Sequence, residues 1–132
     1  MYYDRPMTKL ADKVSILDGA EGPELDLVEG EGEARAIVWP GVGAQARSLH
    51  RVWLKPGARM VEQRHPSEAA YYVIAGGGWV VDAADGERQS LRQGSMFHVD
   101  DGTAYSAQAG DDGMELIGGP SPADPALYEG LS

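Results

Sequence analysis

The side chains able to do chemistry in this chain are few. There are three histidines, His50, His65 and His98, and no cysteine. Thiolate nucleophiles, disulfides and Cys-ligated zinc or iron–sulfur sites are therefore excluded. His65 has a companion at a telling distance: Gln63 precedes it by two residues, and in an extended strand that spacing puts both side chains on one face. An imidazole titrates close to neutrality and can take or give a proton, while an amide both donates and accepts hydrogen bonds. His50 and His98 fall in other strand-like runs, where each could face a cavity or the solvent; a satisfied or exposed histidine is the more common case. Arg51, with Arg47 just before it, could hold a substrate carboxylate through its forked guanidinium, although a solvated arginine is the more ordinary role. Tyr71 is the aromatic counted among candidate ligand contacts.

The elements that must position these groups read as short strands. Eighteen glycines and eight prolines punctuate β-branched, aromatic and alternating runs, the pattern of an all-β chain. Strands are predicted at Arg35–Trp39, Ser48–Lys55, Arg59–Arg64, Ala69–Ala75, Trp79–Ala83, Arg88–Leu91, Met96–Val99, Tyr105–Ala109 and Met114–Ile117. Lys55-Pro56-Gly57, Ala84-Asp85-Gly86-Glu87 and Asp111-Asp112-Gly113 each put glycine where a hairpin needs positive φ, the middle one most strongly. Asp124 before Pro125 reads as an N-cap and first helical residue, giving a short helical turn over Pro125–Glu129. Trp39, Trp53, Trp79, Tyr71 and Tyr72 fit strand positions of a core or a dimer face. The acidic run Val28-Glu29-Gly30-Glu31-Gly32-Glu33 reads as a solvated loop within a less regular N-terminal arm, residues 1–34.

At 132 residues the chain is sized for a single domain, residues 1–132, with enough core to fold unaided. A net charge of −10 argues against nucleic acid, which requires clustered Lys and Arg. No apolar run approaches the roughly 20 residues that span a bilayer, and Met1–Pro6 lacks the pattern of an export signal. The expectation is a cytoplasmic protein with no membrane partner.

Two ordered segments then carry a resemblance. Pro56 to Gly76, PGARMVEQRHPSEAAYYVIAG, resembles the first motif of the cupins, G-x5-H-x-H-x3,4-E-x6-G; Gly94 to Tyr105, GSMFHVDDGTAY, resembles the second, G-x5-P-x-G-x2-H-x3-N. With the hairpin between them the likeness covers roughly residues 47–118. It implies a double-stranded β-helix, a jelly-roll barrel of eight or more strands, and a homodimer.

In metal-binding cupins, two histidines and a glutamate of the first motif and one histidine of the second hold iron, manganese, nickel or zinc. The corresponding positions here are Gln63, His65, Ala69 and Tyr105, so one of four ligands remains. A neutral amide is a weak donor, and a phenol with pKa near ~10 must lose its proton to bind well. Glu62 and Glu68 are out of phase with the vacated positions. Asp100 and Asp101 stand where the second motif has its turn and carry no chemistry. The resemblance makes the face of Gln63 and His65 the inner one, with Tyr105 meeting them from another strand.

No cofactor is expected. The leading expectation is an internal pocket for a small molecule, where His65 and Tyr105 move protons and Gln63 assists, in a metal-independent isomerase, cyclase or lyase. Two alternatives remain. One is a metal-dependent oxygenase or isomerase using His65, Gln63 and Tyr105 with His98 or His50. The other is a non-catalytic metabolite-binding module.

Overall fold

The computed structural model describes residue 10 and residues 13–131. Met1–Pro6, from which the lack of an export signal was read, lie outside the described residues. Among the described residues eight strands form one hydrogen-bonded sheet that closes almost completely into a barrel. They are β1 Val28–Glu29, β2 Gly32–Val38, β3 Leu49–Leu54, β4 Arg59–Met60, β5 Glu68–Asp82, β6 Arg88–Arg92, β7 Met96–Val99 and β8 Tyr105–Ser121. Short 3-10 turns form at Pro40–Val42 and Pro125–Tyr128.

Two long strands build both walls. The first half of β5 pairs with β7 and with the second half of β8, which continues to β3 and β2. The second half of β5 pairs with β6 and with the first half of β8, which continues to β4 and β1. All of these pairings are antiparallel. The crossing from wall to wall lies where β5 runs Gly76-Gly77-Gly78 and β8 runs Gly110 to Gly113. Between the pairs Gly76↔Met114 and Gly78↔Ala109, β8 carries more residues than β5, so the strand bulges. Gly76 and Gly113 both adopt φ of +74°, and a Cβ on Gly76 would lie 2.2 Å from the Gly113 carbonyl oxygen. Only glycine meets both demands.

This corner corrects two sequence readings. Asp111-Asp112-Gly113 is not a hairpin: Gly113 has the expected positive φ but spends it on a bulge, and Tyr105–Ala109 and Met114–Ile117 are one strand. Likewise Ala69–Ala75 and Trp79–Ala83 join as β5. The acidic run at 28–33 is not a plain loop either, since β1 pairs with β4 and β2 begins at Gly32. Backbone pairing of these residues needs no apolar side chain, which is why composition missed it. The Asp85-Gly86 hairpin and the turn capped by Asp124 form as expected. Inward residues alternate along β3, the first half of β5 and most of β8, and Val52, Leu54, Met60, Val73, Leu116 and Ala107 make the core between the walls.

Candidate functional site

Beyond Met60 the chain leaves β4 but stays against β8. Gln63 exchanges both backbone hydrogen bonds with Tyr105, at 2.9 Å each, so their side chains share a face. Two residues on, His65 shares that face, and its carbonyl is held by the Gly102 N–H at 2.8 Å. The parity argument thus holds: Gln63, His65 and Tyr105 are all buried.

The His65 ring is bonded at both nitrogens. Nδ1 lies 2.8 Å from Asp124 Oδ2 and Nε2 lies 2.8 Å from the Tyr105 hydroxyl. A carboxylate only accepts, so Nδ1 carries the hydrogen; in the neutral ring Nε2 must then accept, and Tyr105 donates to it. The result is a buried chain from carboxylate to imidazole to phenol. Burial raises the Tyr105 pKa, opposed in part by the Tyr71 hydroxyl and reinforced by the Asp124 charge. The phenol therefore keeps its proton at neutral pH.

Nothing local in the sequence marks Asp124 as more than a helix cap, and the cap forms, since Oδ1 accepts from Ala126 N–H at 3.0 Å. Its second oxygen is what reaches His65. The same turn delivers Tyr128, whose hydroxyl lies 2.6 Å from His50 Nε2 and whose ring packs 5.1 Å from that of Trp39. The two inward histidines are thus each met by one residue of the C-terminal turn. Burial, with His65 nearby, lowers the His50 pKa to about 4, so this ring is neutral. Burial likewise raises Tyr128.

Tyr71 also faces inward. Its ring stacks on Phe97 at 5.5 Å and lies 6.5 Å from that of Tyr105. Burial, then the neighbouring Tyr105, raises its pKa well above the ordinary tyrosine value. Its hydroxyl is close enough to Tyr105 for the two to influence each other, yet the pair does not reach hydrogen-bond geometry. Among the described residues four buried side-chain atoms lack a protein partner: Tyr71 Oη, His50 Nδ1, and both Gln63 Oε1 and Nε2.

The structure does not bring Arg51 or His98 to this interior. Arg51 is on the outer face of β3, paired with Glu115 and stacked 4.7 Å from the Trp53 ring. His98 is exposed on β7 and bonds Glu68 at 3.0 Å. Both are one residue out of phase with a buried neighbour, Val52 and Val99 respectively. Two surface concavities, one of about 710 Å³ around Trp53, Pro56 and Gly113 and one of about 440 Å³ around Arg64 and Thr103, contain none of the inward polar groups. Gln63, His65 and Tyr105 lie inside the barrel, away from both hollows.

The cupin domain family matches residues 50–117, half of the chain, across both motif segments. The chain is a cupin. No curated protein matches it. Among solved structures it is similar to an RmlC-like cupin from Shewanella frigidimarina, at 22% identity and TM-score 0.65, covering 89% of this chain and 96% of that one. It is also similar to KdgF from Halomonas sp., at 19% identity and TM-score 0.66, covering 87% and 99%. A third is the polyketide cyclase RemF from Streptomyces resistomycificus, at 15% identity and TM-score 0.61, covering 89% and 80%. At these identities the likeness establishes the jelly-roll fold.

The metal that cupins commonly hold does not fit the residues of this one. Both His65 nitrogens are engaged, Ala69 offers no donor, the Tyr105 phenol is held protonated, and the Gln63 amide is a weak ligand. Among the described residues no three His, Asp or Glu side chains are arranged to hold a metal ion.

Proposed function

We propose that this cupin is a metal-independent acid–base enzyme, an isomerase, cyclase or lyase, acting on a small metabolite inside its barrel. The observation that carries the reading is the buried chain Asp124–His65–Tyr105. In it the phenol is the contact atom. As the Tyr105 oxygen takes a proton from a substrate carbon, its own proton passes to His65 Nε2, and the imidazolium so formed is stabilised by Asp124. In an isomerisation, returning the proton to a different substrate atom completes a shift that changes neither overall oxidation state nor composition; in an elimination, the same proton goes to the leaving group. A free phenolate, which burial disfavours, never forms. The Gln63 amide can donate to the oxygen on which negative charge gathers. A polyketide cyclase among the structures of this fold suits the reading in kind.

The test is incorporation of deuterium from D2O into a panel of small carbonyl compounds, followed by NMR. Wild-type protein should accelerate exchange for at least one member, and Tyr105→Phe and His65→Gln should abolish it. Exchange with none, or exchange that survives Tyr105→Phe, refutes the proposal, and ligand binding without exchange would instead make the protein a binding module. We also propose that the cupin works as a homodimer in the cytosol. Support for pairing comes from the exposed Tyr72 and Met96 on one outer face and from Val14 and Ile16 in the arm, 85% and 88% exposed. A monomeric mass by light scattering would count against it.

A further inference from the structure

The proton relay is walled in. Tyr105 is 2% exposed and His65 3%, so a substrate carbon reaches the Tyr105 oxygen only if some part of the wall moves. The sheet is the hard place to open, because parting its strands breaks rows of backbone hydrogen bonds together. The C-terminal segment, 122–131, is held differently. Among the described residues its backbone–backbone hydrogen bonds run from Leu127 N–H to the Asp124 carbonyl and from Leu131 N–H to the Tyr128 carbonyl, both inside the segment. No residue of the Pro125–Tyr128 turn is buried, and Leu127, Tyr128 and Leu131 are only partly buried against the core.

Two side chains fasten the segment to the inner face. Asp124 Oδ2 lies 2.8 Å from His65 Nδ1, and the Tyr128 hydroxyl lies 2.6 Å from His50 Nε2. Both histidines belong to the barrel, and both fasteners belong to the segment. At its start Ser67 Oγ donates to the Pro122 carbonyl at 2.7 Å, fixing the chain where it leaves β8. Movement that begins beyond Pro122 therefore lifts Asp124 and Tyr128 together while the ladders stay whole. The released carboxylate and phenol pass into water, which bonds both, and the segment keeps its own internal bonds. Segments with few buried apolar contacts are the ones that open without global unfolding.

We infer that residues 123–131 form a latch over the barrel mouth, which opens about Pro122 to give a small molecule access to Tyr105 and closes by seating Asp124 on His65 and Tyr128 on His50. Asp124 belongs to both devices, so lifting the latch uncouples the relay, and proton transfer waits for its return to His65. The inference rests on the proton-transfer reading for what the molecule meets inside, and on the two fastenings for the movement.

The chain has no cysteine, so Gln63→Cys puts a single thiol on the inner face, at a residue 6% exposed. Methyl methanethiosulfonate, small and uncharged, reports access to that thiol in the full-length protein, with urea unfolding followed in parallel. At low urea the labelling rate should be independent of urea, the mark of a local opening. Tyr128→Phe keeps the ring and removes only its bond to His50, and should speed labelling by about fivefold to tenfold. Leu91→Ala removes a core side chain from β6 and touches neither fastening, so it should leave the low-urea rate unchanged. Labelling that climbs with urea along the whole unfolding slope, that Tyr128→Phe leaves unaltered, or that Leu91→Ala speeds as much, overturns the latch. Should Gln63→Cys not fold, solvent exchange of the His65 Nδ1 hydrogen, followed by 15N NMR without that substitution, reads the same opening by the same criteria. A latch that opens with no Tyr105-dependent deuterium exchange sinks only the proton-transfer reading. Such exchange, with a labelling rate indifferent to Tyr128→Phe, sinks only the latch.

Discussion

Replacing Asp124 tests the relay most directly, because its two oxygens make separable bonds. Oδ1 caps the Pro125–Tyr128 turn and Oδ2 accepts from His65. Asp124→Ala removes both. Loss of an N-cap costs about 1 kcal/mol, and loss of a hydrogen bond to a charged group costs about 2 kcal/mol more. Solvent cannot compensate, since the two side chains are 2% and 8% exposed. The expected total is about 3 kcal/mol. Asp124→Asn keeps the cap, because asparagine caps as well as aspartate. If its NH2 turns to the ring, the imidazole must move its hydrogen to Nε2, and Tyr105 changes from donor to acceptor. Urea unfolding of both variants, of Tyr105→Phe and of the double variant Asp124→Ala/Tyr105→Phe measures these losses, and 15N NMR of His65 reads the tautomer. Because Asp124 and Tyr105 act on one ring, the double variant should depart from additivity by about 0.5–3 kcal/mol. A loss of only about 1 kcal/mol in Asp124→Ala, with an additive double variant, would make Asp124 a cap and nothing more.

Three further outcomes follow from the same interior. The His50 pKa is lowered from 6.5 to about 4 by burial and then by His65, so the unfolded chain takes up this proton first. Stability should fall as pH drops across that window, by up to about 3 kcal/mol, and His50→Gln should flatten that part of the urea-midpoint curve. At the alkaline end Tyr71, Tyr105 and Tyr128 are all raised by burial; their stabilising contribution is present below pH 10 and lost above it. Ultraviolet titration should show these three ionising only as the barrel unfolds. Finally, Gln63→His with Ala69→Glu and Tyr105→His should release His65 Nε2 and gain a divalent metal by calorimetry, Asp124 then orienting the histidine from behind. If no metal binds, the buried glutamate should lower the melting temperature, and that result would refute Gln63, Ala69 and Tyr105 as the family's ligand positions.

Much of the barrel was legible in the sequence because it rests on local rules. Alternation put Gln63 and His65 on one face, Asp85-Gly86 made its hairpin, and Asp124-Pro125 started its turn. Motif spacing, which is a family likeness rather than local physics, brought Tyr105 to His65. Parity alone gave no side for Arg51 or His98, since a strand has two faces and each run was short enough to fit either way. Which face was inward followed only once β3 and β7 had paired with β8 and β5. Gly113 shows the limit of turn chemistry: positive φ serves a hairpin and a bulge equally, and the choice was made by Gly76 across the sheet. Asp124 is the clearest case. Its sequence neighbours determine the cap, but its bond to His65 spans 59 residues and that of Tyr128 to His50 spans 78. Contacts of that separation have no local signature, because they exist only where the closed barrel brings the C-terminal turn against its own mouth.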